Sequence, residues 1–264
     1  MSEAQTITGR PAIAGRVGFR DALWFEWTKF RTLRSNLVVA AVLGVALPVF
    51  AVIVAGTESL QPDDTILGAS VLGGAVFAQM LAAALGAMSV TGEIRSGMLR
   101  TTLVACPRRL AVLAAKATVV AGVVAGVLVP STVMAFGIGV VMLDGDRYAT
   151  GELFPAIVGI ALAIASMGVL GVAIGSLVRH SAGAVMVGVA IVLLPAFVAP
   201  MLGDYQRWVG GASLAGVMEK LTQSSDATHE TAGSLGAWPS LGVVAAYTIT
   251  AVILAVWVLR RRDS

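Results

Sequence analysis

Residues 36–56 read NLVVAAVLGVALPVFAVIVAG, a run without Asp, Glu, Lys, Arg or His. The hydrocarbon core of a bilayer is about 30 Å thick, so a helix of about 20 apolar residues crosses it. Only a helix or a closed barrel satisfies every backbone N–H and C=O there, and a continuous apolar run without alternation favours the helix. Working outward, the same reading finds runs at 66–90, 111–143, 153–178, 182–202 and 239–259. The third and fourth of the six exceed the minimum length and are expected to tilt. The chain is 57% hydrophobic and 12% charged, with a mean hydropathy of +0.88. A soluble domain carries roughly 25% charged residues, so a soluble globular reading is excluded. The first run lacks a small-x-small cleavage site and is read as a retained span, not a signal peptide. Residues 1–19 are expected to form a disordered cytoplasmic N-terminus, and residues 260–264 a cytoplasmic C-terminus.

Mapping charge onto six spans gives an orientation. One side, which includes both termini, collects every basic residue except Arg147, Arg207 and Lys220. Lys and Arg near short loops stay in the cytoplasm, so both termini and the loops after spans two and four are expected inside, in a cell inner (cytoplasmic) membrane. Acidic residues tilt the opposite way, with Glu58, Asp63, Asp64, Asp144, Asp146, Glu152, Asp204, Glu219, Asp226 and Glu230 outside. The net charge of +3 conceals this polarity. Basic residues that flank spans anchor lipid headgroups, and no nucleic-acid partner is expected.

Within the apolar runs the only Asp, Glu, Lys, Arg or His is Lys116, near the cytoplasmic start of span three. A charge at mid-bilayer costs roughly 2.5–3.5 kcal/mol on insertion scales, and proteins that keep one use it for ion or proton coupling. A self-contained carrier or channel is therefore disfavoured. His180 and His229 fall in opposite aqueous compartments, Cys106 has no partner at metal-ligand spacing, and no His-Glu-x-x-His helix occurs. No metal, cofactor or catalytic residue is expected. Lys29, Lys116 and Lys220 follow Thr28, Ala115 and Glu219, so no phosphate-binding Gly-Lys-Ser/Thr loop is present. Uphill transport would need energy from a second polypeptide.

Two cytoplasmic segments are the places where such energy would arrive. Before span one, residues 20–34 place Leu23, Trp27 and Phe30 at i, i+4 and i+7, an apolar stripe with Trp24 and Phe25 beside it. This reads as a helix lying in the membrane interface. After span two, Ile94, Met98, Leu99, Leu103 and Cys106 share one half of a helix, while Glu93, Ser96 and Arg100 face away and Arg95 interrupts the apolar side. Pro107 ends that helix before Arg108 and Arg109.

The two segments, EWTKFRTLRS at 26–35 and TGEIRSGMLRTTL at 91–103 followed by Pro107, Arg108 and Arg109, resemble the permease subunits of ABC transporters of the type-2 exporter class, especially the short six-span permeases of actinobacteria. The specific motifs cover a small part of the chain, while the likeness in hydropathy runs throughout. The resemblance implies an N-terminal elbow helix at 20–35, carrying Trp24, Glu26, Trp27, Lys29, Phe30 and Arg31. It also implies a coupling helix at 93–106 that docks on a separate ATPase subunit through Glu93, Ile94, Arg95, Gly97, Met98 and Arg100. Ile94 stands where that family commonly has an aromatic residue. A second permease subunit, as a homodimer or heterodimer, and membrane lipid are the other implied partners. The chain itself is expected to be non-catalytic.

Small residues let helices approach in lipid, so Gly122 with Gly126, and Gly171 with Gly175, are candidate packing positions. Pro48, Pro130, Pro195 and Pro200 are expected to bend their helices. In the external loop at 203–238, LAGVMEKL at 214–221 reads as a short amphipathic helix on the outer surface. The uncharged spans imply an amphipathic or apolar cargo: a lipid, drug, antibiotic or peptide. The alternatives are the carrier or channel above, or a membrane partner of an ATPase that transports nothing.

Overall fold

The computed structural model describes residues 18–57, 64–98, 109–143, 148–223 and 233–262. The protein is an all-α polytopic membrane protein with six helices long and apolar enough to span a bilayer. A short helix, α1 (Phe19–Thr32), precedes the spans α2 (Arg34–Thr57), α3 (Ile66–Ser96), α4 (Arg109–Met142), α5 (Leu153–Val178) and α6 (Ser181–Val198). A 3-10 turn (Ala199–Tyr205) leads to the short helices α7 (Gln206–Ala212) and α8 (Leu214–Thr222), and α9 (Ala237–Arg262) is the last span. Successive spans alternate in direction. Arg34, Arg95, Arg179 and Arg261 therefore gather at one end of the bundle, called the basic end below, and Asp64, Glu152, Asp204 and Glu219 at the other.

The two most deeply buried spans are α3 and α5, and small residues explain their closeness. A methyl group added to Gly171 would overlap the Ala83 carbonyl oxygen, one added to Gly86 would overlap that of Gly168, and one added to Gly175 would lie 2.8 Å from Ala87 O. The pairs Ala83 with Gly171 and Ala87 with Gly175 rise together, so the second and fourth spans run parallel with backbones in contact. Lipid provides no hydrophobic drive between helices, and this close approach maximises van der Waals contact instead. Gly122 and Gly126 behave differently: both are exposed, and a Cβ on either would have no neighbour within 4 Å. They lie on the outward face of α4 because Val120, Val124 and Leu128 occupy its buried face.

Pro48, Pro130 and Pro195 lie inside continuous helices, while Pro200 falls in the 3-10 turn. Pro48 has no N–H, which leaves the carbonyl of Gly44, four residues earlier, without its helical donor. The hydroxyl of Ser131 on α4 donates to that carbonyl at 2.8 Å. A neighbouring span thus repairs the defect in a solvent where no water is at hand.

At the end opposite the basic one, α8 is inserted between α3, α5 and α9, not laid on the outer surface as its sequence implies. Its apolar positions Leu214, Val217, Met218 and Leu221, spaced i, i+3, i+4 and i+7, are all buried. Ser213 caps the helix by accepting from Gly216 N at 3.0 Å. Thr65 joins the helix to span two: its Oγ1 accepts from Gly68 N at 3.0 Å, capping α3, and donates to Thr222 O at 2.7 Å. Lys220 Nζ donates to Ser240 Oγ of α9 at 2.9 Å. The regular α-helix of the fifth span ends at Val198, within a helical apolar stretch that runs on to Ala212. After Val198 the chain tightens into the 3-10 turn, in which Gly203 leaves helical geometry (φ 53°, ψ −121°).

Candidate site at the basic end

Three helices build the site. On α1, Ala22, Glu26 and Phe30 recur every four residues and form the buried stripe. The sequence places Leu23, Trp27 and Phe30 on that stripe, but Trp27 is exposed and Leu23 only half-buried. Trp24, Phe25 and Trp27 face away from the bundle, with Arg31 over the Trp27 ring at 6.0 Å. The aromatic face is therefore turned outward, as an interfacial helix requires, and a carboxylate is turned inward.

That inward carboxylate meets α3 and α4. Glu93 lies in the last full turn of α3, which continues past residue 90 to Ser96 and stops where Gly97 adopts the left-handed region (φ 73°). The expected coupling helix at 93–106 therefore begins as part of span two. Its continuation at 99–106, including Arg100, lies outside the described residues. Lys116 stands seven residues into α4, about 10 Å along the helix at 1.5 Å per residue.

Lys116 Nζ donates to Glu26 Oε2 at 2.7 Å, to Glu93 Oε1 at 2.6 Å and to Ser89 O at 3.3 Å. An ammonium has three donors, and all three are used. Lys29 Nζ donates to the same Glu93 Oε1 at 2.5 Å and sits 4.7 Å above the centre of the Phe25 ring. It also lies 2.6 Å from Glu26 Oε1, close enough for an ion pair but out of line for a hydrogen bond. Two ammoniums and two carboxylates thus balance. Glu26 and Lys116 are each 4% exposed and Glu93 is 8% exposed. Such burial is tolerated only because each charge has its counter-charge; an isolated ion there would cost several kcal/mol.

Beside this quartet a cavity of about 800 Å³ opens between α1 and the basic-end turns of α2, α3, α4 and α6. The quartet lines it together with Asn36, Ser89 and Arg95 and with the apolar Phe30, Val119, Val120 and Val185. The sequence reading leaves Lys116 as the lone charged residue of the apolar runs, and the structure adds a second buried charge on a span, Glu93. Glu93 joins Lys116 inside the helical bundle because span two is a turn longer than its apolar run.

Among the residues expected to meet an ATPase, Glu93 is buried in the quartet, Ile94 is half-buried, and Arg95, Gly97 and Met98 are exposed. Among the elbow residues, Glu26 and Phe30 are buried and Lys29 is half-buried, whereas Trp24, Trp27 and Arg31 are exposed. The sequence reading marks Lys116 as the lone charge of the apolar runs but gives it no partner, and it passes over Ser89. The available signal was Lys116 itself, because a lone cation in an apolar run must have a counter-charge, and Glu93 and Glu26 are the nearest carboxylates on the same side of the membrane. No group of His, Cys, Asp and Glu able to hold a metal occurs among the described residues. No protein-family model matches the chain, and no curated protein matches it.

Proposed function

We propose that the chain is the membrane-spanning permease subunit of an ATP-driven exporter of the type-2 ABC class, with its basic end in the cytoplasm. The quartet carries this reading. It ties α1 to the last turn of span two and the first turns of span three. A push on the segment after Gly97 would therefore move α1 and α4 along with α3. Charge pairs in a poorly hydrated site hold their geometry more stiffly than surface pairs do, which suits a joint that passes on force. The chain has no phosphate-binding loop, so ATP hydrolysis belongs to a partner subunit and this subunit is non-catalytic. Two permease subunits would enclose the path, moving an amphipathic or hydrophobic cargo such as a lipid, drug, antibiotic or peptide.

The quartet also gives the rival reading, an ion-coupled carrier, an observation of its own, since it puts ionisable groups inside the bundle. Carriers place coupling sites near the midplane, however. This cluster is charge-balanced and lies about 10 Å from the start of α4. Co-purification with an ATPase subunit, whose gene the exporter reading expects in the neighbouring reading frame, followed by vesicle transport, separates the two. The exporter reading expects a stable complex and transport only with ATP. Transport by the purified chain alone, driven by an ion gradient, would overturn it.

A further inference from the structure

The cavity beside the quartet is graded in polarity along the bundle axis. Arg95 is the next-to-last residue of α3 and lies at the mouth. Seven residues deeper on the same helix is Met88, about 10 Å further into the membrane at 1.5 Å per residue. Val119, Val120 and Val185 also line the cavity; Val120 lies against Gly168, which meets Gly86, and Val185 is three residues before Gly188, which meets Ala83, so they sit beside the same stretch of α3 as Met88. The four charges of the quartet neutralise one another, but Arg95 is exposed and has no ion-pair partner among the described residues. Among the described residues, the lining therefore combines one cation without an ion-pair partner, Arg95, with the charge-balanced quartet and an apolar side made by Val119, Val120 and Val185. Its volume of about 800 Å³ is within the roughly 300–1,000 Å³ of small-molecule sites.

We infer that this cavity binds an amphiphile whose headgroup carries an anionic phosphate or carboxylate, with the headgroup on Arg95 and the chain against Val119, Val120 and Val185. Calling this ligand the cargo rests on the exporter reading; its binding needs only this chain. A guanidinium presents paired N–H donors to two anionic oxygens of such a headgroup, a charge-assisted match that a cationic headgroup cannot make and a neutral one makes without the opposing charge. The axial separation of Arg95 from the valines corresponds to the step from the headgroup region to the acyl region of one leaflet, so a membrane amphiphile could enter without leaving its own solvent.

The full-length chain in phosphatidylcholine nanodiscs is titrated separately with dodecyl phosphate, dodecyltrimethylammonium and inorganic phosphate, and its melting temperature is followed. Dodecyl phosphate should raise the melting temperature saturably. The cationic amphiphile, which partitions with the same chain, and inorganic phosphate should not. Arg95→Gln should weaken dodecyl phosphate by about tenfold or more, the scale of a lost charge-assisted pair. Val185→Trp, which fills the apolar side from a half-buried position, should weaken it as well. Equal shifts with dodecyltrimethylammonium, equal binding of inorganic phosphate alone, no shift with any probe, or unchanged affinity in Arg95→Gln would each overturn the assignment. No ATPase is present, so failure here leaves the exporter reading standing, and failure of ATP coupling leaves this binding result intact.

Discussion

Lys116 Nζ and Glu93 Oε1 lie 2.6 Å apart and join the third span to the end of the second, with Glu26 of α1 closing on the same ammonium at 2.7 Å. Both bonds are buried, so the cost of breaking them differs from that of removing them. Lys116→Met alone strips two buried carboxylates of a shared partner and is expected to destabilise the protein by about 3–5 kcal/mol. Glu26→Leu with Lys116→Met removes a balanced pair and is expected to be far milder, and even neutral. Thermal unfolding of both variants in detergent checks this; a single variant as stable as the double would show that the pair is not a structural unit.

Glycines in this chain have two environments, and the same substitution should read them apart. Gly171→Ala places a methyl group on the Ala83 carbonyl oxygen, forcing α3 and α5 apart at an expected cost of about 3 kcal/mol. Gly122→Ala meets nothing within 4 Å and should be neutral or stabilising by up to about 1 kcal/mol, because alanine favours the helix. Melting temperatures of the two variants give the comparison. A destabilised Gly122→Ala with an unaffected Gly171→Ala would contradict this packing.

Ser131 and Pro48 form a matched set in which a hydroxyl on one span serves a carbonyl freed by proline on another. Ser131→Ala is expected to cost about 1 kcal/mol in the natural sequence. The cost should shrink when Pro48→Ala restores the helical donor to Gly44. A double-mutant cycle on unfolding free energies measures the coupling, and strictly additive effects would show that Ser131 is not compensating for the proline.

Much of the fold can be read from the chain because lipid imposes a simple rule. Six apolar runs give six spans, and their centres need no tertiary information. The ends are harder. Glu93 belongs to span two even though the apolar run stops near residue 90, since a charged residue can remain in a buried helix once Lys116 and Lys29 neutralise it. On α1 the periodicity is visible, but which face turns inward depends on partners three helices away; an inward Glu26 makes sense only beside Lys116. Helix α8 has the spacing of a surface helix, and the groove between α3, α5 and α9 that receives it is a tertiary feature. Gly171 and Gly122 have the same local pattern, and only the crossing of α3 with α5 distinguishes them.

The account turns on the quartet as the joint between an external ATPase and the spans. The most direct test is the ATPase rate of the reconstituted complex with the Glu26→Leu, Lys116→Met double variant, chosen because it should fold and insert. The variant is expected to retain the ATPase in co-purification while the permease loses its influence on hydrolysis and ATP-driven transport falls at least about tenfold, equivalent to about 1.4 kcal/mol of lost coupling. Full coupling in a variant whose ionic tie from α4 to α1 and α3 has been removed would contradict the central claim.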